Sequence, residues 1–150
     1  ENRNEVTTEG GLNVANQVES IKATTEKLGQ VGIEVSLFID PDPEQIEATA
    51  QTGSPVIELH TGPFADSYAH ESKRSIEIER LIKAAEHAKQ LGITVNAGHG
   101  INYENVQGLF SVPHLKELNI GHSIISRAIT VGLSQATSEM LTKMAGYDIE

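Results

Sequence analysis

The 150-residue sequence has no cysteine and no tryptophan, and only 4% of its residues are aromatic. Without cysteine there is no disulfide framework and no thiolate metal site, so order has to come from packing and backbone pairing. Positive charge is scarce as well: 11 Lys and Arg face 21 Asp and Glu, a formal charge of −10. With no basic run, the electrostatic footprint of a nucleic-acid binder is missing, and an anionic substrate would have to be held by local donors. No apolar stretch approaches the ~20 residues that cross a bilayer, and the first residues lack the basic-then-apolar pattern of a signal peptide. Neither nucleic acid nor membrane is therefore expected as a partner, and a cytoplasmic location is. GxGxxG, P-loop and HExxH patterns are absent, and the six histidines show no ligand-like spacing, so no metal is expected.

What is present is a regular alternation of helical and extended patterns. Val14, Val18, Ile21, Thr25 and Leu28 recur at helical intervals, which predicts a helix over 14–30 with Asn13 as its N-cap. Residues 34–40 and 54–62 read as strands, separated by a short helix over 43–51 for which Asp42 is the cap. The stretch 62–72 reads as a long polar connection and a candidate lid. A helix follows whose buried stripe is expected from Ile76, Arg80, Ile82 or Lys83, Ala84, Ala88 and Leu91. Then come a strand over 93–96, a helical turn over 103–110, a strand over 117–120 and one long helix over 123–145. This order calls for parallel strands joined by right-handed crossovers.

The strands discriminate between α/β folds. One set of alternate positions, Val35, Leu37, Ile39, Ile57, Leu59, Ile93, Val95, Leu118 and Ile120, is apolar throughout. The other set, Ser36, Phe38, Asp40, Glu58, His60, Thr94, Asn96, Asn119 and Gly121, is polar except for Phe38. A doubly wound sheet buries both faces and needs both sets apolar, whereas a (β/α)8 barrel turns one face to an interior that opens on its active site. The predicted class is thus α/β, a TIM (β/α)8 barrel. Four strands are half of the eight required, so the chain is expected to hold about the second half, strands 5 to 8. On that reading residues 1–150 are the carboxyl-terminal part of a single barrel domain whose amino-terminal half is absent, and the start at Glu1 rather than methionine fits.

Chemistry concentrates where strands end. His99 lies between Gly98 and Gly100 after a strand, a position suited to proton transfer near neutrality or to a solvated turn. Glu58 sits mid-strand on the polar face, as a charge partner for a cationic intermediate or as half of a structural ion pair. His60 shares that face and reads as a hydrogen-bonded core histidine, and Asp40-Pro41-Asp42 as a turn and cap. Gly121 and His122, with Ser123 beside them, open the last helix, where free amides favour a phosphate or simply cap the helix.

Five segments together carry a resemblance: Val6-Thr-Thr-Glu-Gly-Gly-Leu12, Val35-Ser-Leu-Phe-Ile-Asp40, Ile57-Glu-Leu-His-Thr-Gly62, Val95-Asn-Ala-Gly-His-Gly100 and Glu117-Leu-Asn-Ile-Gly-His122. In this order, over nearly the whole chain, they resemble the pyridoxine 5′-phosphate synthase family. The resemblance implies an eight-stranded barrel, a synthase of vitamin B6 biosynthesis. It would condense 1-deoxy-D-xylulose 5-phosphate with 3-amino-2-oxopropyl phosphate to pyridoxine 5′-phosphate, phosphate and water, with no metal or organic cofactor. It also implies a homo-oligomer, commonly an octamer. By motif, His99 resembles the family's proton donor and Glu58 the carboxylate that stabilises charge during condensation. Gly100, Gly121 and His122 resemble its amino-ketone phosphate site, and Thr7 a contact to the deoxyxylulose phosphate. The family's early Asn, Asp-His pair, substrate-binding arginines and further His and Glu bases have no counterpart segments here, so the 150 residues alone are expected to be inactive. The alternatives are a non-catalytic phosphate-ligand-binding α/β module, and a half-barrel that pairs with a second copy for structural reasons.

Overall fold

A computed structural model describes residues 10–147. Its centre is a four-stranded parallel sheet of β1 (Ser36–Ile39), β2 (Val56–His60), β3 (Thr94–Gly98) and β4 (Leu115–Asn119), in the spatial order β1-β2-β3-β4. Each strand lies beside its predecessor, and the order never reverses to open the crevice of a doubly wound sheet. An unreversed parallel order with intervening helices is an α/β arrangement consistent with part of a TIM barrel.

Register explains the two faces. Leu37, Ile57, Val95 and Leu115 form one cross-strand row and Ile39, Leu59, Ala97 and Leu118 the next, and all but the half-buried Leu118 are buried. On the opposite face Phe38, Glu58, Asn96 and Glu117 line up, followed by His60, Gly98 and Asn119. The last strand keeps this alternation through a bulge: Leu115 faces Val95 but Glu117 faces Asn96, so Lys116 is the extra residue. Without it, strict alternation from Leu115 would drive Glu117 into the core and Leu118 out of it.

Helices cover the apolar face. They are α1 (Val18–Gly29), α2 (Pro43–Thr52), α3 (Gly62–Ser67), α4 (Glu71–Gln90), α5 (His122–Val131) and α6 (Leu133–Met144), with a 3-10 helix at Val106–Ser111. Helix α4 seats Leu81, Ala84, Ala85 and Ala88, where three methyl side chains allow close approach to the strands. The stripe expected from the sequence is rotated from this one. Ala84 and Ala88 hold, but Ile76 is 59% and Leu91 42% exposed, and Arg80 points to Glu77 and Asp42.

Other boundaries shift for identifiable reasons. Helix α1 starts at Val18 rather than 14, because Val14 is fully buried and its amide donates to Gln45 Oε1 at 2.7 Å. Asn13 is not its N-cap; Asn13 Oδ1 instead accepts from the Asn16 amide at 3.3 Å in a preceding turn. Asp42 holds the N-cap position of α2 without a side-chain cap bond, its carboxylate being taken by Arg80 at 3.1 Å. Residues 62–67 of the expected lid are helical and bury Phe64 to 1% exposure, which makes that part of the stretch core rather than flap. The long last helix is two helices, broken at Gly132, whose φ of 85° and ψ of 154° only glycine adopts readily.

The outer edge of β1 is not bare. Leu12 N–H donates to the Phe38 carbonyl at 2.8 Å, and Gly11 passes so close that a Cβ there would overlap the Ile39 and Asp40 backbone. Glycine is required at that crossing for space. Among the described residues no helix is long and apolar enough to cross a membrane.

Candidate active site

The loop after β3 is built from consecutive left-handed residues, His99 with φ 80° and Gly100 with φ 75°. For a residue with a Cβ this conformation costs about 1–2 kcal/mol, so something must hold it. The holder is Thr61, fully buried at the carboxyl end of β2. Its hydroxyl lies 2.7 Å from the Gly98 carbonyl and 2.6 Å from that of His99, and its own amide donates to Gly98 O at 2.9 Å. Buried Asn105 continues the brace: its Nδ2 donates to Gly100 O at 3.0 Å and its Oδ1 accepts the Asn102 amide at 2.7 Å. Three successive carbonyls are thereby bonded, and the His99 side chain is presented at the exposed rim.

Glu58 lies half-buried on the polar face, its Oε2 accepting from Asn119 Nδ2 at 2.6 Å. The two residues belong to β2 and β4, and β3 lies between them. Gly98 makes the contact possible, since a Cβ there would fall on Glu58 Oε1. Beside them Asn96 is 8% exposed and its Nδ2 is 3.4 Å from Glu117 Oε2.

A ring cluster of Phe38, His60 and His99 stands beside them. His60 Nδ1 is 2.8 Å from Asp40 Oδ1, and the His60 ring packs against Phe38 and His99 with centroids 5.1 and 5.0 Å away. His60 is thus the hydrogen-bonded histidine that the sequence predicts. Asp40 is not merely a turn residue, as expected from Asp40-Pro41-Asp42; it is the partner of that histidine.

Helix α5 opens at Gly121, which has no side chain to cap it. The first amides of a helix have no partner within it and sit at the positive end of its dipole. Ser123 ties this end to the previous loop, its hydroxyl donating to Ile101 O at 2.8 Å. One open cleft of about 1030 Å³ is lined by Glu58, His99, Gly100, Asn119, Gly121 and His122, among others. Arg127 also reaches it, but its guanidinium is paired with Glu139 across the α5–α6 hairpin at 2.8 and 3.2 Å. The hydrogen bond from Arg127 holds the Glu139 carboxyl below the usual carboxylate range, and the same pairing raises Arg127.

Five of the six residues singled out in the sequence therefore share one cleft at the carboxyl ends of parallel strands: Glu58, His99, Gly100, Gly121 and His122. Thr7 lies outside the described residues. Sequence reading missed Thr61, Asn105 and the Asp40–His60 pair as parts of the site. Only the position of Thr61 at the end of a strand hinted at it.

Known proteins agree with the family that the sequence resembles. The family described as "Pyridoxal phosphate biosynthesis protein PdxJ" matches residues 1–146. Similar proteins named "Pyridoxine 5′-phosphate synthase" include one from Photobacterium profundum, 54% identical over 96% of this chain and 59% of its own length. Another from Opitutus terrae is 52% identical over 96% of this chain and 58% of its own. A third from Coxiella burnetii is 51% identical over 97% and 60%. The chain spans about three fifths of the length of these relatives. It belongs to the pyridoxal phosphate biosynthesis protein PdxJ family.

Proposed function

We propose that this chain supplies the carboxyl-terminal half of a (β/α)8 barrel, strands 5 to 8, in a cytoplasmic pyridoxine 5′-phosphate synthase. The observation that carries the reading is the convergence of Glu58, His99 and the uncapped start of α5 on one cleft. The substrates are 1-deoxy-D-xylulose 5-phosphate and 3-amino-2-oxopropyl phosphate, and no metal or organic cofactor is needed.

Condensation starts when the amine nitrogen adds to the ketone carbon and the former carbonyl oxygen leaves as water. That departure needs a proton, which the His99 imidazole supplies. The iminium that remains is cationic, and the Glu58 carboxylate, oriented by Asn119, stabilises it. The amides at Gly100, Gly121 and His122 receive the phosphate of the amino-ketone, so an acidic chain binds an anion through backbone dipoles rather than net charge. Thr7 contacts the other phosphorylated substrate. The remaining bases and arginines belong to the other half of the barrel, so residues 1–150 by themselves are inactive, and the complete protein is a homo-oligomer, an octamer.

The test supplies both substrates to the complete protein and to its His99→Ala variant. Product formation by the variant should fall about 10²- to 10⁴-fold, the usual contribution of a positioned acid or base. Unchanged formation removes His99 from catalysis. Inorganic phosphate should also protect the Gly121 and His122 amides from hydrogen exchange, and lack of protection removes the anion site.

A further inference from the structure

We infer that Asp40 and His60 form a positioning pair that fixes the ring of His99 for proton transfer. The inference rests on the functional reading above and deepens it.

His99 sits in a left-handed turn at an exposed rim, where its main chain is braced by Thr61. That brace sets the direction of the Cα–Cβ bond but leaves two side-chain torsions to choose. A proton donor is effective only when its nitrogen lies in line with the accepting oxygen, and a displacement near 1 Å costs about 10²-fold in rate. The ring therefore needs walls.

His60 is one wall. Its ring meets that of His99 at 72° with centroids 5.0 Å apart, the edge-to-face arrangement that the aromatic quadrupoles favour. Phe38 lies 6.4 Å from His99 and 5.1 Å from His60, so the three rings form one cluster. Gly62 is the floor: a Cβ on it would overlap His60 Nε2 and come within 3.2 Å of His99 Cδ2, so both rings rest against its bare Cα.

The His60 ring could itself turn about its last torsion, and Asp40 prevents this. Nδ1 is 2.8 Å from Asp40 Oδ1, and the side chain of His60 is only 12% exposed. A carboxylate can only accept, so Nδ1 carries the proton and the ring plane is set. Asp40 follows the last residue of β1 and His60 is the last of β2, so the hydrogen bond joins two strand ends, and ring packing carries the contact to the histidine that follows a third. Neither Asp40 nor His60 lines the cleft, whereas His99 and Phe38 do. The pair acts on the reaction through His99.

The experiment uses the complete protein with four substitutions: Asp40→Asn, Asp40→Ala, His60→Phe and His60→Ala. Asp40→Asn keeps an acceptor oxygen opposite Nδ1 and should retain kcat within about threefold. Asp40→Ala and His60→Ala should lower kcat about 10- to 100-fold while KM for both substrates stays within about twofold. His60→Phe keeps the aromatic wall without the anchor and should fall between. Melting temperatures within a few degrees of the unsubstituted protein confirm folding for each. Equal losses in Asp40→Asn and Asp40→Ala, a rise in KM at constant kcat, or full activity of His60→Ala would each overturn the inference. A second readout is independent of turnover: the ring-proton NMR shifts of His99 should move in His60→Ala and Asp40→Ala but hold in Asp40→Asn. If the unsubstituted protein makes no product, the functional reading fails, and these shifts alone decide whether the pair positions His99.

Discussion

Asn119 Nδ2 donates to Glu58 Oε2 at 2.6 Å, a contact that runs from β4 to β2 over the top of β3. Neighbouring parallel strands lie about 4.8 Å apart, so side chains two strands away meet only if the strand between presents nothing. Gly98 meets that condition, and a Cβ there would overlap Glu58 Oε1.

Gly98→Ala should therefore act on Glu58. Either the carboxylate swings away or β3 shifts, and overpacking of this kind costs about 1–3 kcal/mol. The expected outcome is a lower melting temperature together with a kcat reduced as far as in Glu58→Gln. Asn119→Ala frees the carboxylate without a clash, so it should lower kcat with little change in melting temperature. Thermal melts and steady-state rates on the complete protein check both.

Thr61→Val tests the brace under His99. Valine fills the same volume but removes the hydroxyl that bonds two carbonyls. Each intramolecular hydrogen bond contributes about 0.5–1.5 kcal/mol, so losing two costs about 1–3 kcal/mol. His99 would then have less reason to stay at φ 80°. Stability should drop by that amount in chemical denaturation, and Thr61→Ser, which keeps the hydroxyl, should recover most of it.

The two strand faces were legible because side chains alternate with period two, and Glu58, His60, Asn96 and Asn119 all carry that period. That His99, Gly100, Gly121 and His122 would meet in one cleft was legible because strand ends are where α/β sheets put their sites. The rotated stripe of α4 was not. Isoleucine at 76 and leucine at 91 outrank alanine in hydropathy, yet close helix-to-sheet packing selects small side chains, as at Ala84, Ala85 and Ala88. The break at Gly132 was masked because Val131 and Leu133 continue the helical pattern on both sides. The Asp40–His60 and Thr61–His99 bonds join residues 20 and 38 positions apart, and no local pattern announces a contact of that range.

The α5–α6 hairpin joins a rare backbone conformation to an ion pair. Gly132 lies in a region of φ and ψ that a side chain enters at a cost of about 1–3 kcal/mol, so Gly132→Ala should destabilise by that amount. Arg127 and Glu139 clasp the two helices on either side of it. Because the folded pKa of Glu139 is depressed, its contribution is present above the unfolded carboxylate value near 4.3 and is lost as pH falls through the lower folded value. Melting temperature measured from about pH 6 down to about pH 3 should converge for the unsubstituted protein and Glu139→Gln at the acid end. A gap that persists there would show that the carboxylate is not what matters.

Tyr147 fastens the far end of the sheet. Its hydroxyl accepts the Leu115 amide at 3.0 Å and donates to Val112 O at 2.7 Å, so one side chain bonds both sides of the turn that leads into β4. Tyr147→Phe keeps the ring against Phe110 and removes both bonds, for a loss of about 1–3 kcal/mol. Burial raises the phenol above its ordinary value, with the Leu115 amide pulling the other way. A group whose folded pKa is raised contributes fully below its unfolded value, here near 10, and loses that contribution as pH rises through the folded one. The unsubstituted protein should consequently lose stability between about pH 9 and about pH 11 more steeply than Tyr147→Phe. Denaturant midpoints at the two pH values decide the matter: parallel declines would mean that the phenol is not the group responsible, and a smaller decline in the variant would identify it.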